Sequence, residues 1–477
     1  MSLNRLWAFL AVALPVLAAL IANLSSVDLT YHLRAGEGIL ATGAIPRVDE
    51  WTFTAAGAPW TDQQWGAQVV LELAYRVGGW TGLAVLRAAL VGVVFGCLFV
   101  IGRVRGLDPR TAALLTLAAF LVSAVALALR PQLLGMALFA VVLLLVVQRR
   151  THPRVLWAVP VIVAVWANIH GSFFLGPLVL GLAWLEDLHD RDPGARRTLA
   201  VGIVSTLAAC LTPFGPAVWA YAVGLSTNPQ VTQRITEWQA TTLRTVPGML
   251  FFASAGAIVV LIARRGRTTS WPTLAWLGVF FLIGAFAIRG VAWWPLGAVT
   301  AIAGTLVTAA SGPERVDPPL IRRMNVVIVG VMVVAGLVLL PVWRPIDAGL
   351  GAPAGVVGNA PPGITGALRG SLQPGDRLFN PQPWGSWFIF ELPETPVAID
   401  SRIELFPVEV WDDYERVVDG GDGWAQQLDD WKVTVVVAAG ASEDAFVERL
   451  EANGWTTAYA DADGTILRRS APLAVVR

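Results

Sequence analysis

Residues 79–101 read GWTGLAVLRAALVGVVFGCLFVI, and Arg87 is the one charged side chain in this stretch. Spanning the hydrocarbon core of a bilayer takes about 20 apolar residues in a helix, so the stretch is long enough to cross it. Ten further apolar runs occur, at residues 7–24, 111–129, 133–148, 155–168, 172–185, 198–212, 249–263, 271–288, 291–310 and 325–341. The sequence therefore predicts a polytopic transmembrane helical bundle, mainly α, of about 11 helices.

The composition supports a lipid environment. Of the 477 residues, 55% are hydrophobic and 14% are charged, which leaves too little charge to cover the surface of a soluble chain of this length. The net charge is zero, so nothing indicates a nucleic-acid partner. Cys97 and Cys210 lie inside apolar runs, where cysteine is usually a small buried hydrophobe, and no local cluster of Cys and His predicts a structural zinc site.

The arginines of the loops favour one orientation. If the N-terminus is cytoplasmic, the inside loops hold 16 arginines, whereas the outside loops before the last helix hold 7. The positive-inside rule then predicts a cytoplasmic N-terminus, and an odd number of helices places the C-terminal part outside. Lys432 is the one lysine among 34 Lys and Arg residues, a usage typical of GC-rich bacterial genomes. We therefore expect a multi-pass protein of the bacterial inner or plasma membrane.

The pattern divides the chain into three parts. Residues 1–344 form the transmembrane part, including a first outer loop at residues 25–78, and residues 345–375, rich in Gly, Pro and Ala, read as a linker. Residues 376–477 predict a small extracytoplasmic α/β domain, because short β-like runs alternate with helical patterns. The β-like runs are 377–380, 397–400, 433–438, 456–460 and 465–468, and the helical patterns are 408–418 and 442–453.

The first outer loop is the densest polar segment near the membrane. If its start is helical, Asp28 and His32 lie on one face, where the carboxylate could act as a general base, while Arg34 could hold a phosphate. The indoles of Trp51, Trp60 and Trp65 would suit a sugar face. The alternative is an aromatic belt at the membrane interface with solvated charges beside it.

Polar side chains also lie at the predicted outer ends of helices. They are Arg130, Gln132, Asn168, His170, Glu237 and Arg289, and they predict an outward-facing polar cavity for a lipid-linked phosphate. The alternatives are snorkelling to the headgroups, pairing between helices and, for His170, a satisfied histidine at a helix end. In the C-terminal part, Asp400 and Arg402 predict a salt bridge that fixes the fold.

Several motifs resemble those of a known superfamily. Asp-x-x-Tyr-His-x-Arg at 28–34, followed by Gly-x-x-Pro-x-x-Asp at 43–49, resembles the first loop of GT-C fold glycosyltransferases. It is similar to the catalytic subunits of archaeal and bacterial oligosaccharyltransferases, and more loosely to protein O-mannosyltransferases. The Arg-Pro-Gln, Asn-x-His-Gly and Trp-Gly…Ile-Asp-x-Arg segments resemble those of a group of bacterial multi-pass membrane proteins over nearly the full length.

The resemblance implies transfer of a sugar from a polyprenyl-phosphate donor to an extracytoplasmic glycan, lipid or protein acceptor. It implies Asp28 as the catalytic acid/base or a metal ligand, and Arg130 or Arg289 as the contact to the donor phosphate. The loop itself adds His32 as a second catalytic residue and Arg34 as a further phosphate contact. The acceptor or sugar pocket would then comprise Asp49, Glu50, Trp60, Asp62, Gln132, Asn168, His170 and Glu237.

The sequence departs in two respects from the members of this superfamily that need a metal ion. The metal-dependent oligosaccharyltransferases have a second acidic motif in the next outer loop and a Trp-Trp-Asp-Tyr-Gly signature, whereas this chain has Arg130-Pro131-Gln132 there and lacks that signature. We therefore expect a transfer that needs no metal or other cofactor. The alternative is a non-catalytic assembly protein or a transporter of lipid-linked substrates. Charges at the outer helix ends rather than near the midplane argue against the transporter.

Overall fold

The computed structural model describes residues 1–24, 27–264, 269–307 and 317–469. Helices dominate the chain up to residue 343. They are α1 (Leu3–Ile21), α2 (Leu29–Thr42), α3 (Trp65–Val104), α4 (Pro109–Ser123), α5 (Pro131–Gln148), α6 (Val159–Ala167), α7 (Leu175–His189), α8 (Ala195–Ala208), α9 (Ala217–Thr227), α10 (Pro229–Arg234), α11 (Val246–Arg264), α12 (Trp271–Phe286), α13 (Trp294–Ile302) and α14 (Pro319–Val338).

All eleven predicted apolar runs are helical, but fewer are long enough to cross a bilayer alone. Within the described ranges, seven helices have that length and apolarity: Leu3–Ile21, Trp65–Val104, Pro109–Ala126, Pro131–Gln148, Gly171–His189, Val246–Arg264 and Pro319–Val338. Val155–Ala167 and Trp271–Phe286 are shorter apolar helices. The runs at α8 and α13 give helices of only 14 and 9 residues. The chain is thus a mainly α-helical, multi-pass membrane protein.

Local chemistry explains where several of these helices begin and bend. The carboxylate of Asp108 accepts hydrogen bonds from the backbone N–H groups of Arg110 and Thr111, which caps the start of α4. Pro131 occupies the first turn of α5, where its missing N–H costs no hydrogen bond. Gly79 interrupts α3 with φ 54° and ψ −145°, a conformation that is open only to glycine, so α3 kinks there.

The first of two compact units comprises Met1–Ala22 and Thr81–Trp343. Its core includes the rings of Phe139, Trp166, Phe280 and Trp293, with centroids 5.4–6.5 Å apart between neighbours. Arg87, the charge inside the run 79–101, donates hydrogen bonds to the carbonyls of Ala19 and Ala22 at the end of α1.

The second unit comprises Asn23–Trp80 and Arg344–Arg477. Beyond residue 344 it contains β1 (Ile346–Asp347), β2 (Ala352–Pro353), α15 (Pro362–Ser371), β3 (Leu378–Phe379), α16 (Gln382–Glu391), α17 (Val408–Asp419), α18 (Trp424–Asp430), β4 (Val435–Ala439), α19 (Asp444–Ala452), β5 (Trp455–Ala460) and β6 (Gly464–Arg469). The main sheet has the order β3-β4-β6-β5; β3 and β4 are parallel and the other pairs are antiparallel. These alternating strands and helices confirm the predicted α/β region.

The first loop and the predicted linker both belong to this second unit. Thr52 bridges Val397, which in turn bridges Leu378 of β3, so a piece of the first loop extends the sheet beyond β3. The stretch 345–375 contains β1, β2 and α15, and Thr365 of α15 accepts a hydrogen bond from the buried indole N–H of Trp387. This stretch is therefore structured and packed in the unit, which differs from the linker expected from its composition.

Candidate active site

The first turn of α2 presents two of the predicted catalytic residues. Asp28 is the N-cap residue of α2 and is half-buried, while His32 is buried one turn later. The backbone N–H of His32 donates to the carbonyl of Asp28 at 3.3 Å, so the two residues share the i, i+4 relation that the sequence predicted. Tyr31 lies against His32, with ring centroids 4.0 Å apart.

Gln68 of α3 links His32 to a buried carboxyl group. Its side-chain nitrogen Nε2 lies 2.7 Å from Oδ1 of Asp62 and 3.4 Å from Nδ1 of His32. Gly36 permits this approach of α2 to α3, because a Cβ at that position would lie 2.3 Å from the Gln68 carbonyl oxygen. If Gln68 donates to Nδ1, the imidazole carries its proton on Nε2 and presents a donor there.

Asp62 is a buried acid with an incomplete set of partners. Its side chain is 3% exposed, and within the described ranges its Oδ2 atom has no hydrogen-bond partner. Burial raises the pKa of Asp62 from 3.8 to about 7, although the hydrogen bond from Gln68 and the charge of Arg402 both act in the opposite direction. Asp62 therefore exchanges a proton near neutral pH, which is a property of groups that act as acids or bases.

The negative charge of three carboxyl groups acts on the buried hydroxyl of Tyr31. Burial is the largest cause of the raised pKa of Tyr31, and the carboxylates of Asp28, Glu404 and Asp62 raise that pKa further. Glu404 is exposed, although the protein around its carboxyl group raises the pKa of that group. We call Asp28, Tyr31, His32, Asp62 and Glu404 the acidic cluster.

Arg402 forms a buried network of ion pairs in the same unit as the acidic cluster. Its Nη2 atom donates to Asp49 Oδ1 and to Asp400 Oδ2, both at 2.6 Å, and all three side chains are at most 1% exposed. The guanidinium lies against the rings of both Trp51 and Trp60, with centroids 4.5 and 4.7 Å away. Burial alone would lower the pKa of Arg402, but Asp400 and Asp49 raise it above its ordinary value, so the group remains charged.

Several residues that were predicted to bind substrate are instead engaged by other protein groups or lie at the surface. Asp49 also accepts from the backbone N–H and the hydroxyl of Thr52, so its carboxylate is saturated by protein donors. Trp60 is buried against Arg402, which leaves its face covered. Arg34 pairs with Glu37 at 2.6 Å on the exposed side of α2, and Glu50 is exposed.

The first unit gathers four other predicted residues around one recess. Arg130, Gln132, Glu237 and Arg289 line an open recess, which is completed by Val125, Ala126, Ala128 and Ile288. Arg130 Nη1 donates to both carboxylate oxygens of Glu237, at 2.8 and 2.9 Å. Arg289 Nε donates to Gln132 Oε1 at 3.0 Å. We call this the arginine recess.

The remaining two predicted residues lie elsewhere in the first unit. Asn168 donates to the carbonyls of Ala164 and Leu211, and so ties the end of α6 to the chain after α8. His170 Nδ1 accepts from the backbone N–H of Ser172 at 3.1 Å, which caps the 3₁₀ turn Gly171–Phe174. Neither lines the arginine recess, and these contacts match the satisfied helix-end alternative for His170.

Sequence reasoning missed Gln68, Glu404 and the supporting role of Tyr31. Gln68 lies one turn into a helix that otherwise reads as apolar, and Glu404 follows Arg402 in a segment assigned only a structural salt bridge. The one available signal was that both polar residues interrupt buried hydrophobic stretches.

The described ranges do not offer a ready metal centre. They contain no group of three or more His, Cys, Asp or Glu side chains arranged to hold a metal ion. The carboxylates of Asp49 and Asp400 are engaged by Arg402, which leaves them unsuited as ligands. Among the described residues, the donor set therefore does not fit a bound metal ion.

Solved structures with a similar fold come from an archaeal enzyme. The oligosaccharyltransferase AglB from Archaeoglobus fulgidus, in complex with an inhibitory peptide and a dolichol-phosphate, superposes with a TM-score of 0.59 at 11% identity, over 91% of this chain and 69% of that chain. The Archaeoglobus fulgidus enzyme in its apo form gives 0.57 at 13% identity over the same shares. The form tethered to an acceptor peptide with the NVT sequon gives 0.58 at 12% identity, over 98% of this chain and 74% of that chain.

The likeness lies in structure rather than sequence. No protein-family profile and no curated protein sequence matches the chain. The structural match nonetheless includes both the helical unit and the α/β region, since it covers at least 91% of the chain. The chain therefore has the GT-C fold of these structures, which is the fold that the resemblance of its first-loop motifs implies.

Proposed function

We propose that the chain is a membrane glycosyltransferase that transfers a sugar from a polyprenyl-phosphate-linked donor to an extracytoplasmic glycan, lipid or protein. The observation that carries the proposal is the arginine recess, which brings together residues from three distant parts of an apolar chain. Two guanidinium groups at the end of membrane helices suit the phosphate of a lipid better than any neutral ligand. The N-terminus of α5 adds a partial positive charge beside Arg130.

The acidic cluster would supply the proton chemistry. Asp28 accepts the proton of the acceptor hydroxyl or amide while the acceptor atom attacks the anomeric carbon of the sugar. The bond between that carbon and the phosphate oxygen breaks, and the polyprenyl phosphate leaves with the electron pair. A guanidinium group stabilises the charge that develops on this phosphate. If Gln68 donates to Nδ1 of His32, the imidazole presents an Nε2–H donor one helical turn after Asp28.

The reaction is proposed to be metal-independent because the donor set does not fit a metal ion. Positive charge at the leaving phosphate then comes from arginine. Full activity in the presence of a chelator is the expected outcome, whereas loss of activity with EDTA and recovery with a divalent ion would contradict it.

The assay that tests the function is transfer from polyprenyl-phosphate sugars by purified protein, comparing Asp28→Asn with wild type. We expect turnover to fall by about 10²–10⁴-fold, the usual contribution of a general base. Glu394→Gln, an exposed carboxylate of the same unit, is the matched control and should keep full activity. Unchanged turnover in Asp28→Asn would remove Asp28 from this role. Donor binding without any turnover in wild type would favour the transporter or assembly protein instead.

We also propose that the N-terminus is cytoplasmic and that the second unit faces outside. The arginine distribution supports this orientation. A chain with Cys97→Ala, Cys210→Ala and Glu394→Cys should react with a membrane-impermeant maleimide in cells whose inner membrane is intact. Labelling only after the inner membrane is permeabilised would reverse the orientation.

A further inference from the structure

The two arginines of the arginine recess differ in their partners. Arg130 is neutralised by Glu237, which receives two hydrogen bonds from one guanidinium nitrogen. Arg289 instead donates to a neutral amide, Gln132, and its guanidinium lies 5.5 Å from the ring centroid of Trp238. In the part of the chain that the structure describes, no carboxylate pairs with Arg289.

The recess therefore has a defined charge. Its eight lining residues include two arginines and one glutamate, which gives a formal net charge of +1. Gln132 holds Arg289 in place without cancelling its charge, because its amide also donates to the Arg289 carbonyl at 3.3 Å. The recess thus offers one uncompensated cation next to one compensated ion pair.

We propose that Glu237 is a specificity-determining residue that selects a singly charged phosphodiester over a diphosphate. This inference rests on the proposed function, since it assumes that the arginine recess holds the phosphate of the lipid donor. A phosphodiester between a lipid and a sugar carries one negative charge, which Arg289 balances. A diphosphate diester carries two, and its second phosphate would meet the carboxylate of Glu237 or have to break the Arg130 pair.

A purely structural role for the ion pair predicts a different result. Arg130 is the N-cap residue of α5, and Glu237 lies in the 3₁₀ turn Thr236–Trp238, so the pair also ties these two segments together. If that were its only role, loss of the charge would weaken binding of every ligand alike. Glu237→Gln keeps the shape and an acceptor oxygen for Arg130 while removing the charge.

The experiment measures binding to wild-type protein in nanodiscs with two probes that share one prenyl chain. The probes are prenyl methyl phosphate, with one charge, and P1-prenyl-P2-methyl diphosphate, with two. We expect wild type to bind the monophosphate diester at least about tenfold more tightly. In Glu237→Gln the ratio should fall to within about threefold or reverse, because diphosphate binding improves. Glu394→Gln should keep the wild-type ratio, and prenyl alcohol reports binding of the chain alone.

Three outcomes would overturn the inference. Equal binding of both probes by wild type would show that the recess does not discriminate charge. An unchanged ratio in Glu237→Gln would leave the ion pair a structural contact. Binding of both probes that survives Arg289→Gln would place the phosphate elsewhere. These binding measurements need no turnover. If wild type prefers the singly charged probe but shows no transfer activity, the proposed enzymatic function is wrong while the proposed role of Glu237 in selectivity is retained.

Discussion

Replacement of Arg402 by methionine should destabilise the second unit more than any other single change considered for this chain. Arg402 is 1% exposed and pairs with two carboxylates whose side chains are fully buried. Methionine preserves most of the aliphatic volume beside Trp51 and Trp60, so the change removes charge rather than packing. What remains is two buried carboxylates without their cation.

The magnitude follows from this count of partners. Removing one member of a buried ion pair costs about 3–5 kcal/mol, because the remaining charge stays desolvated. Asp49 keeps its hydrogen bonds from Thr52, which offsets part of the cost, while loss of two cation–π contacts adds about 0.5–2 kcal/mol each. A net loss of about 3–5 kcal/mol should lower the melting temperature by about 6–20 °C for a unit of this size.

Thermal unfolding followed by tryptophan fluorescence would report the loss directly, since two indoles contact the guanidinium. Arg369→Met is the control, because Arg369 pairs with Glu391 at the half-exposed surface of the same unit, where ion pairs contribute about 0–1 kcal/mol. The triple variant Asp49→Asn, Asp400→Asn, Arg402→Met should recover most of the stability, because no unpaired charge remains. A loss in Arg402→Met no larger than in Arg369→Met, or a triple variant no more stable than the single one, would refute the reasoning.

Two further predictions concern the same unit. Burial raises the pKa of Asp62 from 3.8 to about 7, so the folded state retains a proton that the unfolded chain releases between those values, and the free energy of unfolding should fall as pH rises from about 4 to about 7. Asp62→Asn should remove this pH dependence and be more stable than wild type by roughly 4 kcal/mol at pH 8. Denaturant titrations at several pH values measure both effects. Parallel plots of unfolding free energy against pH for the two proteins would contradict the prediction. Gly385→Ala should destabilise the unit by about 1–3 kcal/mol, because the new Cβ would lie 2.0 Å from the Ile399 carbonyl oxygen. Gly370→Ala is its control, since nothing lies within 4 Å of a Cβ at that position. Equal melting temperatures for the two variants would count against the predicted clash.

The features that sequence alone could predict are those with local physical signals. Long apolar runs gave the helices, and short-period alternation gave the strands, because both depend on neighbouring residues. Asp400 and Arg402, two residues apart, were predicted to form a salt bridge, and this is confirmed. The sequence also predicted one polar cavity for six residues at helix ends; four of them line the arginine recess, whereas Asn168 and His170 do not, and a role in phosphate binding stays a prediction.

Features that depend on distant parts of the chain could not be read from the sequence. The second partner of Arg402 is Asp49, 353 positions earlier, and no local pattern links them. The cost of burying Asp62 depends on the whole of its surroundings, which composition does not report. The number of spanning helices differed because proline, glycine and 3₁₀ turns shorten apolar runs without changing their hydropathy.

Contacts inside the second unit also connect motifs that lie far apart in the chain. Gly385 has no side chain, so α16 can pack directly on the backbone at Ile399 and Asp400. Arg402 follows two residues after Asp400; its guanidinium lies against two indoles of the first loop and 6.0 Å from the ring centroid of Tyr31 in the first turn of α2. The Trp-Gly and Ile-Asp-x-Arg segments therefore act on the same turn that presents Asp28. Because this support passes through Arg402, a variant that weakens it should disturb the acidic cluster without contacting any substrate.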